Sequence, residues 1–131
     1  TAVLQHDVEV TGPVEAVLYV HTTAPHTDFT VKLVDVHPDG KAYNVSDGIL
    51  RRSYPPAPAT EVKIRLWPTS MVFRRGHAMR IEVSSSNFPR YDRNPNTGGD
   101  IPTELHPVAA TQTIFHSAAR PSRIILPIVP R

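Results

Sequence analysis

The chain alternates apolar and polar residues with a period of two over much of its length. Three runs, Val14–Thr22, Val62–Trp67 and Met79–Ser84, carry apolar residues at every second position. Because successive side chains on a strand point to opposite faces, each run offers one apolar face to a core. The second face of Val14–Thr22 is half apolar, so we expect this strand to be covered on both sides.

Turn signals divide the pattern into roughly nine strands. The segment His37–Gly40 (His-Pro-Asp-Gly) predicts a hairpin that joins Phe29–Val36 to Lys41–Val45. Further turns are predicted at Thr11–Pro13, Ser46–Gly48, Pro55–Pro58 and Arg75–Gly76, and one helical turn at Thr69–Arg74. No segment has a sustained helical period, so we predict an all-β fold, a single jelly-roll β-sandwich over residues 1–131.

One long segment, Asn87–Pro107, breaks the alternation. Its 21 residues include four prolines, two glycines and three asparagines, which exclude a regular strand or helix. Structureless loops of this length in small domains are often functional. The loop is therefore expected either to face a partner or to pack on the edge of the sandwich.

Composition excludes several classes of protein. The chain has no cysteine, which excludes disulfide frameworks and thiol catalysis, and fourteen prolines, which argue against a helical bundle. It has no apolar run of membrane-spanning length, so no membrane partner is predicted. The opening Thr1–Val10 lacks a signal peptide, and we expect a piece of a longer protein in a bacterial cytoplasm, with secretion as the alternative.

The charge balance disfavours a function in nucleic-acid binding. Fourteen basic residues oppose twelve acidic ones, for a net charge of +2. Arg90, Tyr91 and Arg93 supply charge and a stacking ring. We expect these arginines to pair with Asp92 and backbone carbonyls instead, and we predict no nucleic-acid partner.

The chain lacks the motifs of a serine hydrolase. The nucleophile elbow G-x-S-x-G is absent. His77 and Ser84 are expected at opposite ends of one strand, roughly 20 Å apart at the extended rise per residue. We therefore predict no catalytic residue within this chain.

Metal and cofactor sites are not predicted. The histidines and carboxylates group as His21, His26 and Asp28, as His37 and Asp39, and as His106 and His116, without zinc-site spacing. Calcium stays an open alternative, since oxygen ligands alternate at Asp92, Asn94, Asn96 and Asp100, although without EF-hand spacing.

A carbohydrate-binding module is the alternative function. Trp67 and Tyr91 have the flat rings that stack on sugars. The simpler interpretation is that Trp67 covers the outer face of its strand.

Six strings taken together resemble one known family. They are Val10–Pro13, Asp28–Val31, Asp35–Gly40, Asp47–Arg51, Gly76–His77 and Ser85–Asn94. Their order and spacing resemble the C-terminal domain of the cocaine esterase-like and X-Pro dipeptidyl-peptidase hydrolases. The match runs from about Asp7 to Pro130.

The resemblance implies a galactose-binding-like jelly roll that follows an α/β-hydrolase domain. The Ser-His-Asp triad of such enzymes lies in the hydrolase domain, and the sandwich helps to wall the cleft. The parent enzymes cleave esters, amides or Xaa-Pro peptides. The implied partner is the catalytic domain of the same polypeptide, with self-association through an exposed apolar patch as an alternative.

The expected contact residues with that domain lie in two stretches. They are Arg51, Arg52 and Tyr54, followed by Asn87, Phe88, Pro89, Arg90, Tyr91, Asp92, Arg93 and Asn94. Phe88 and Pro89 are expected to make apolar contact, and the charged residues to set the register. Ser53–Thr60 is shorter and richer in proline than the corresponding segment of the family. If this segment reaches the cleft, the substrate preference of relatives does not transfer to this chain.

Overall fold

The computed structural model describes residues 1–130 and confirms an all-β sandwich built from antiparallel strands. The strands are β1 (Val8–Thr22), β2 (His26–Val36), β3 (Ala42–Ser53), β4 (Thr60–Phe73), β5 (Ala78–Ser84), β6 (Gln112–Ser117), β7 (Arg120–Pro121), β8 (Arg123–Ile125) and β9 (Ile128–Val129). These residues contain no helix, and so none that is long and apolar enough to cross a membrane.

The strands form two sheets. The larger sheet has the order β4-β1-β6-β7, and the short strands β8 and β9 also pair with β1. Along one edge β1 meets β4, and along the other it meets β9, β8 and β6 in succession. The smaller sheet has the order β3-β2-β5.

The core lies between the two sheets and follows the predicted alternation. Its members include Val14, Ala16, Leu18, Val20, Phe29, Val31, Leu33, Val62, Ile64 and Leu66. Each large aliphatic or aromatic side chain buried in this way contributes about 1.5–3 kcal/mol. Val17, on the other face of β1, is also buried, which confirms that this strand is covered on both sides.

The predicted strand end at Thr11–Pro13 is wrong, because β1 continues through it. The pairing with β4 shifts register between Gly12 and Val14, which marks a β-bulge. Gly12 has a φ of 133°, a conformation that suits glycine, and Pro13 needs no ladder hydrogen bond at a bulge. The predicted helical turn at Thr69–Arg74 is also wrong, because Thr69 to Phe73 pair with the first half of β1.

The predicted turn at Ser46–Gly48 is wrong for a different reason. Gly48 lies within β3, and a Cβ there would collide with the carbonyl oxygen of Arg65 on β4. The glycine therefore permits close approach between two backbones. The Ser46 hydroxyl also donates to the Trp67 carbonyl at 2.6 Å, so β3 and β4 close this side of the sandwich.

The other turn predictions agree with the structure. The hairpin at His37–Gly40 joins β2 to β3, with Gly40 N–H donating to the His37 carbonyl at 2.9 Å. The segments Pro55–Pro58 and Arg75–Gly76 lie between strands. The long loop Asn87–Pro107 is confirmed as irregular and separates β5 from β6. The finer likeness to galactose-binding domains stays a prediction.

Candidate docking surface

Two buried carboxylates lie on the outer face of the smaller sheet. Asp28 on β2 points away from the core residues Phe29 and Val31, yet it is only 1% exposed. Asp47 on β3 is 4% exposed. Its register partner on β2 is Lys32, which lies on the same face of the sheet as Asp28. Burying a carboxylate is costly unless it is paired and hydrogen-bonded. Something must therefore cover and neutralise both groups.

Asp28 is satisfied by one neighbouring strand and by the long loop. Arg51 lies directly opposite on β3, and its Nε and Nη2 donate to Asp28 Oδ1 and Oδ2, both at 2.8 Å. This bidentate geometry is the strongest form of side-chain ion pair, and it raises the pKa of Arg51 above its ordinary value. Asn94 adds a third donor, with Nδ2 at 2.6 Å from Asp28 Oδ1.

Within residues 1–130, the side-chain partners of Asp47 come from the loop. Asn87 Nδ2 donates to Asp47 Oδ2 at 2.9 Å, and Arg90 Nε lies 2.9 Å from the same oxygen. The pKa of Arg90 is raised by its hydrogen bond with the Tyr91 hydroxyl and by the charge of Asp47. The beginning of the loop is thus tied to β3 through a single buried carboxylate.

Further bonds hold the loop between and beyond these two carboxylates. Arg51 Nη2 donates to the Asp92 carbonyl at 2.7 Å. The Asn96 side chain accepts from the Thr27 hydroxyl at 2.8 Å and donates to the Val108 carbonyl at 2.9 Å. We call residues 87–96 the clamped loop, because side chains of β2 and β3 hold it across the smaller sheet.

The solvent side of the clamped loop presents a mixed surface. Phe88 is 57% exposed, and the Arg93 guanidinium lies 4.6 Å above the centre of its ring. Ile101 and Pro102 join Phe88, Asp92 and Arg93 around an open groove of about 380 Å³. An exposed aromatic ring beside charged groups is the composition expected where two domains of one chain meet.

Among the described residues, the remaining predicted contact residues, Arg52 and Tyr54, have no hydrogen bond or ring contact to the clamped loop. Tyr54 is 6% exposed and packs edge to face on Phe29, with ring centres 5.6 Å apart. Its buried hydroxyl has no hydrogen-bond partner among residues 1–130, and burial raises its pKa to about 12. The Arg52 guanidinium lies over the ring at 5.3 Å from its centre. Tyr54 therefore supports β2 from the core, and Arg52 covers it.

The two rings proposed for sugar stacking do not form one platform. Trp67 is 63% exposed on β4 of the larger sheet, whereas Tyr91 belongs to the clamped loop over the smaller sheet. Among residues 1–130, no ring contact joins them.

Three of the four side chains considered for calcium have their oxygens bonded to other partners. Asn94 Oδ1 accepts from the backbone N of Asn96, Asn96 Oδ1 accepts from the Thr27 hydroxyl, and Asp100 Oδ2 accepts from the Thr103 hydroxyl. The structure thus gives these three side chains structural roles in the loop.

One cluster of possible metal ligands lay outside the predicted groups. Buried Asp35 on β2 faces His77 Nδ1 at 2.9 Å and His37 Nε2 at 3.2 Å. Both nitrogens lie at hydrogen-bond distance from the carboxylate, so the three side chains form one hydrogen-bonded network. The sequence grouped His37 with Asp39, but Asp39 pairs with Lys41 at 3.0 Å instead.

Sequence reasoning also missed Asp28 and Asp47 as the anchors of the loop. A weak signal was present for Asp47, which lies a few residues before Arg51 and Arg52, whereas no arginine precedes Arg51 to mark Asp28. The pairing itself depends on strand register, which the sequence pattern left undetermined.

Comparison with known proteins identifies the family of this chain. Residues 1–125 match the model of the X-Pro dipeptidyl-peptidase C-terminal non-catalytic domain. The chain belongs to this family. It is 46% identical over 143 residues to a cocaine esterase of a Rhodococcus species, a match that covers all of this chain and 25% of that protein.

Solved structures agree with this family. An aminopeptidase from a marine sediment Thaumarchaeota archaeon superposes with a TM-score of 0.90 at 30% identity, over 99% of this chain and 25% of that chain. An α-amino acid ester hydrolase superposes with a TM-score of 0.90 at 28% identity, over 98% and 25% of the two chains. The X-Pro dipeptidyl-peptidase C-terminal domain described here thus spans about a quarter of the length of the relatives that it matches, and its family is a non-catalytic one.

Proposed function

We propose that this accessory domain docks on the α/β-hydrolase catalytic domain of its own polypeptide through the exposed side of the clamped loop. In that position it forms part of the wall of the active-site cleft. The observation that carries the proposal is the pair of buried carboxylates, Asp28 and Asp47, which hold an irregular loop across the outer face of a sheet.

The clamped loop is suited to docking because it is ordered before it meets a partner. Binding loses free energy when a flexible loop must be immobilised, and preorganisation removes that cost. Here Arg51 and Asn94 anchor the loop at one end and Asn87 and Arg90 at the other. Phe88 is thereby held exposed, with an apolar ring available to a partner surface.

We propose further that the parent enzyme hydrolyses an ester or an amide bond. The relatives are named as a cocaine esterase, an α-amino acid ester hydrolase and an aminopeptidase, and the family is named for X-Pro peptides. All of these substrates are acyl compounds, whose carbonyl carbon is open to attack by an activated serine. The 46% identity to the esterase favours an ester. The nucleophile, the base and the oxyanion donors would come from the catalytic domain.

The test uses the parent enzyme with substitutions on the docking surface. Phe88→Ala and Arg93→Ala each remove one exposed contact without touching Asp28 or Asp47. Trp67→Ala is the matched control, because Trp67 is an equally exposed aromatic residue on the other sheet. We expect the first two variants to lower kcat/KM for an ester about tenfold, and to separate the unfolding of the two domains in calorimetry.

Two results would overturn the proposal. One is kinetic and calorimetric behaviour of Phe88→Ala and Arg93→Ala that matches that of Trp67→Ala. The other is ester hydrolysis by the pure 131-residue chain that a serine-directed inhibitor abolishes, because catalysis would then reside in the sandwich itself.

The exposed Trp67 ring keeps one alternative open to experiment. If the domain binds carbohydrate, titration with polysaccharides should show binding that Trp67→Ala abolishes and Phe88→Ala leaves intact. The match to a quarter of longer enzymes disfavours a free-standing module of this kind.

A further inference from the structure

The first residues of the chain run along the free edge of β5. Thr1 N donates to the Met79 carbonyl at 2.7 Å, and Met79 N donates to the Thr1 hydroxyl at 3.0 Å. Leu4 N donates to the His77 carbonyl at 2.8 Å and its carbonyl accepts from Gly76 N at 2.9 Å. As the residue number rises from 1 to 4, that of the partner falls, so this pairing is antiparallel.

Beyond Met79 the same edge of β5 has no strand beside it in the described part of the chain. Backbone groups of a strand face its two neighbours alternately. Since the Met79 groups face Thr1, those of Ile81 and Val83 face the same open edge. Unpaired edges of this kind promote association, and native proteins normally cover them.

An apolar groove follows the open edge between the two sheets. Leu33, Ile81 and Val83 line one side of it, and Leu18, Ile114 and Ile124 the other. It consists of two adjoining parts of about 520 and 470 Å³ that share Ile81 and Ile124. Met79, beside Thr1, is buried, whereas Ile81 and Val83 are only partly so. The larger part of the groove also borders Thr1 and Met79, so the groove begins where the chain covers β5 and continues beyond that point.

We infer that the segment of the parent polypeptide directly upstream of Thr1 continues along β5, adds a fourth strand to the smaller sheet and closes this groove. The matched relatives are about four times as long as this chain, and the family model describes a C-terminal domain. In these relatives, a stretch of polypeptide therefore precedes the region that corresponds to Thr1. The Thr1 nitrogen already bonds to Met79 and would do so equally well as an amide. The direction of the chain at Thr1 then leads the upstream residues toward Ile81.

The register of the inferred strand follows from the Thr1–Met79 pair. The residue two positions upstream of Thr1 pairs with Ile81, and the residue four positions upstream pairs with Val83. Opposed residues share a face, so these two positions are expected to carry apolar side chains that fill the groove. The first and third upstream positions face solvent.

The experiment compares two proline variants of the parent enzyme by amide hydrogen exchange. A proline at the second upstream position removes an N–H that the strand needs for Ile81. A proline at the first upstream position is the matched control, because its N–H points away from β5. We expect the amide hydrogens of Ile81 and Val83 to exchange slowly in the parent enzyme and in the control variant. In the variant with proline at the second upstream position, and in the 131-residue chain, their exchange should be about 100-fold faster. The amides of Arg80 and Glu82, which face β2, should stay protected in all four proteins.

Fast amide hydrogen exchange at Ile81 and Val83 in the parent enzyme would overturn the inference. Equal exchange rates at these two residues in the two proline variants would do the same. Protection of these amides in the 131-residue chain that grows with its concentration and equals that in the parent would assign the edge to a second copy instead. These outcomes are independent of Phe88 and Arg93, so failure of the docking proposal would be recognised separately.

Discussion

The Asp28 carboxylate accepts two hydrogen bonds of 2.8 Å from the Arg51 guanidinium, which lies directly across from it on the neighbouring strand. The same carboxylate accepts from Asn94, so one buried charge joins two strands to the clamped loop. Buried ion pairs seldom add net stability, but removing one partner leaves the other uncompensated. The pair therefore determines how the loop is held.

Replacing Asp28 by asparagine should destabilise the fold strongly. The Arg51 guanidinium, whose side chain is 30% exposed, would then face a neutral amide and lose its ion partner, which should cost about 2–3 kcal/mol. Urea unfolding measures the change in the free energy of unfolding. Asp39→Asn is the control, because Asp39 pairs with Lys41 in solvent and its loss should leave stability unchanged. Similar unfolding midpoints for the two variants would contradict the assignment.

Asp47→Ala should loosen the beginning of the clamped loop without unfolding the sandwich. It removes the acceptor of Asn87 and the ion partner of Arg90. Trypsin cleaves after arginine, and cleavage after Arg90 and Arg93 should become about tenfold faster, because local opening exposes those bonds. Mass spectrometry of the fragments identifies the sites. Unchanged cleavage rates at both arginines would show that Asp47 does not hold the loop.

Tyr54→Phe should be neutral or stabilising near neutral pH. The substitution keeps the ring that packs on Phe29 and removes a buried hydroxyl that no described residue hydrogen-bonds. A buried unsatisfied polar group costs about 1–3 kcal/mol, so a gain of about 1 kcal/mol is expected. Thermal and urea unfolding at pH 7 measure it. A loss of more than about 1 kcal/mol would indicate that the hydroxyl has a partner in solution.

The same substitution should change how stability depends on alkaline pH. The pKa of Tyr54 is raised to about 12 by burial, from 10.0. Below pH 10 the phenol is protonated in both the folded and the unfolded chain. Between pH 10 and 12 only the unfolded chain releases the proton, so its ionisation should reduce stability by about 2–3 kcal/mol by pH 12. Tyr54→Phe should lack this component, and parallel stability curves for the two proteins would refute the prediction.

Within the network around Asp35, His77 should matter more than His37. His77 is half-buried and lies 2.9 Å from the carboxylate, whereas His37 is more exposed and lies at 3.2 Å. His77→Ala leaves the buried Asp35 short of a donor and should cost about 2 kcal/mol, while His37→Ala should cost less. Equal losses in urea unfolding would show that the two imidazoles contribute alike.

The sequence by itself determined the elements whose signals are local. Alternation at Val14–Thr22, Val62–Trp67 and Met79–Ser84 predicted the strands and their core faces, because side chains on a strand alternate whatever its partner. The His37–Gly40 turn and the irregular loop Asn87–Pro107 were likewise predicted from residue types that fit few backbone conformations.

Only the tertiary structure decided which side chains meet. From the hairpin at His37–Gly40, uninterrupted pairing would set Asp28 opposite Leu50, but a register shift between Leu33 and Val34 sets it opposite Arg51. One bulged residue thus creates the ion pair that holds the clamped loop. Gly48 was taken for a turn because its close contact with β4 comes from a strand distant in sequence. Register and backbone approach depend on long-range pairing, which local patterns along one chain do not encode.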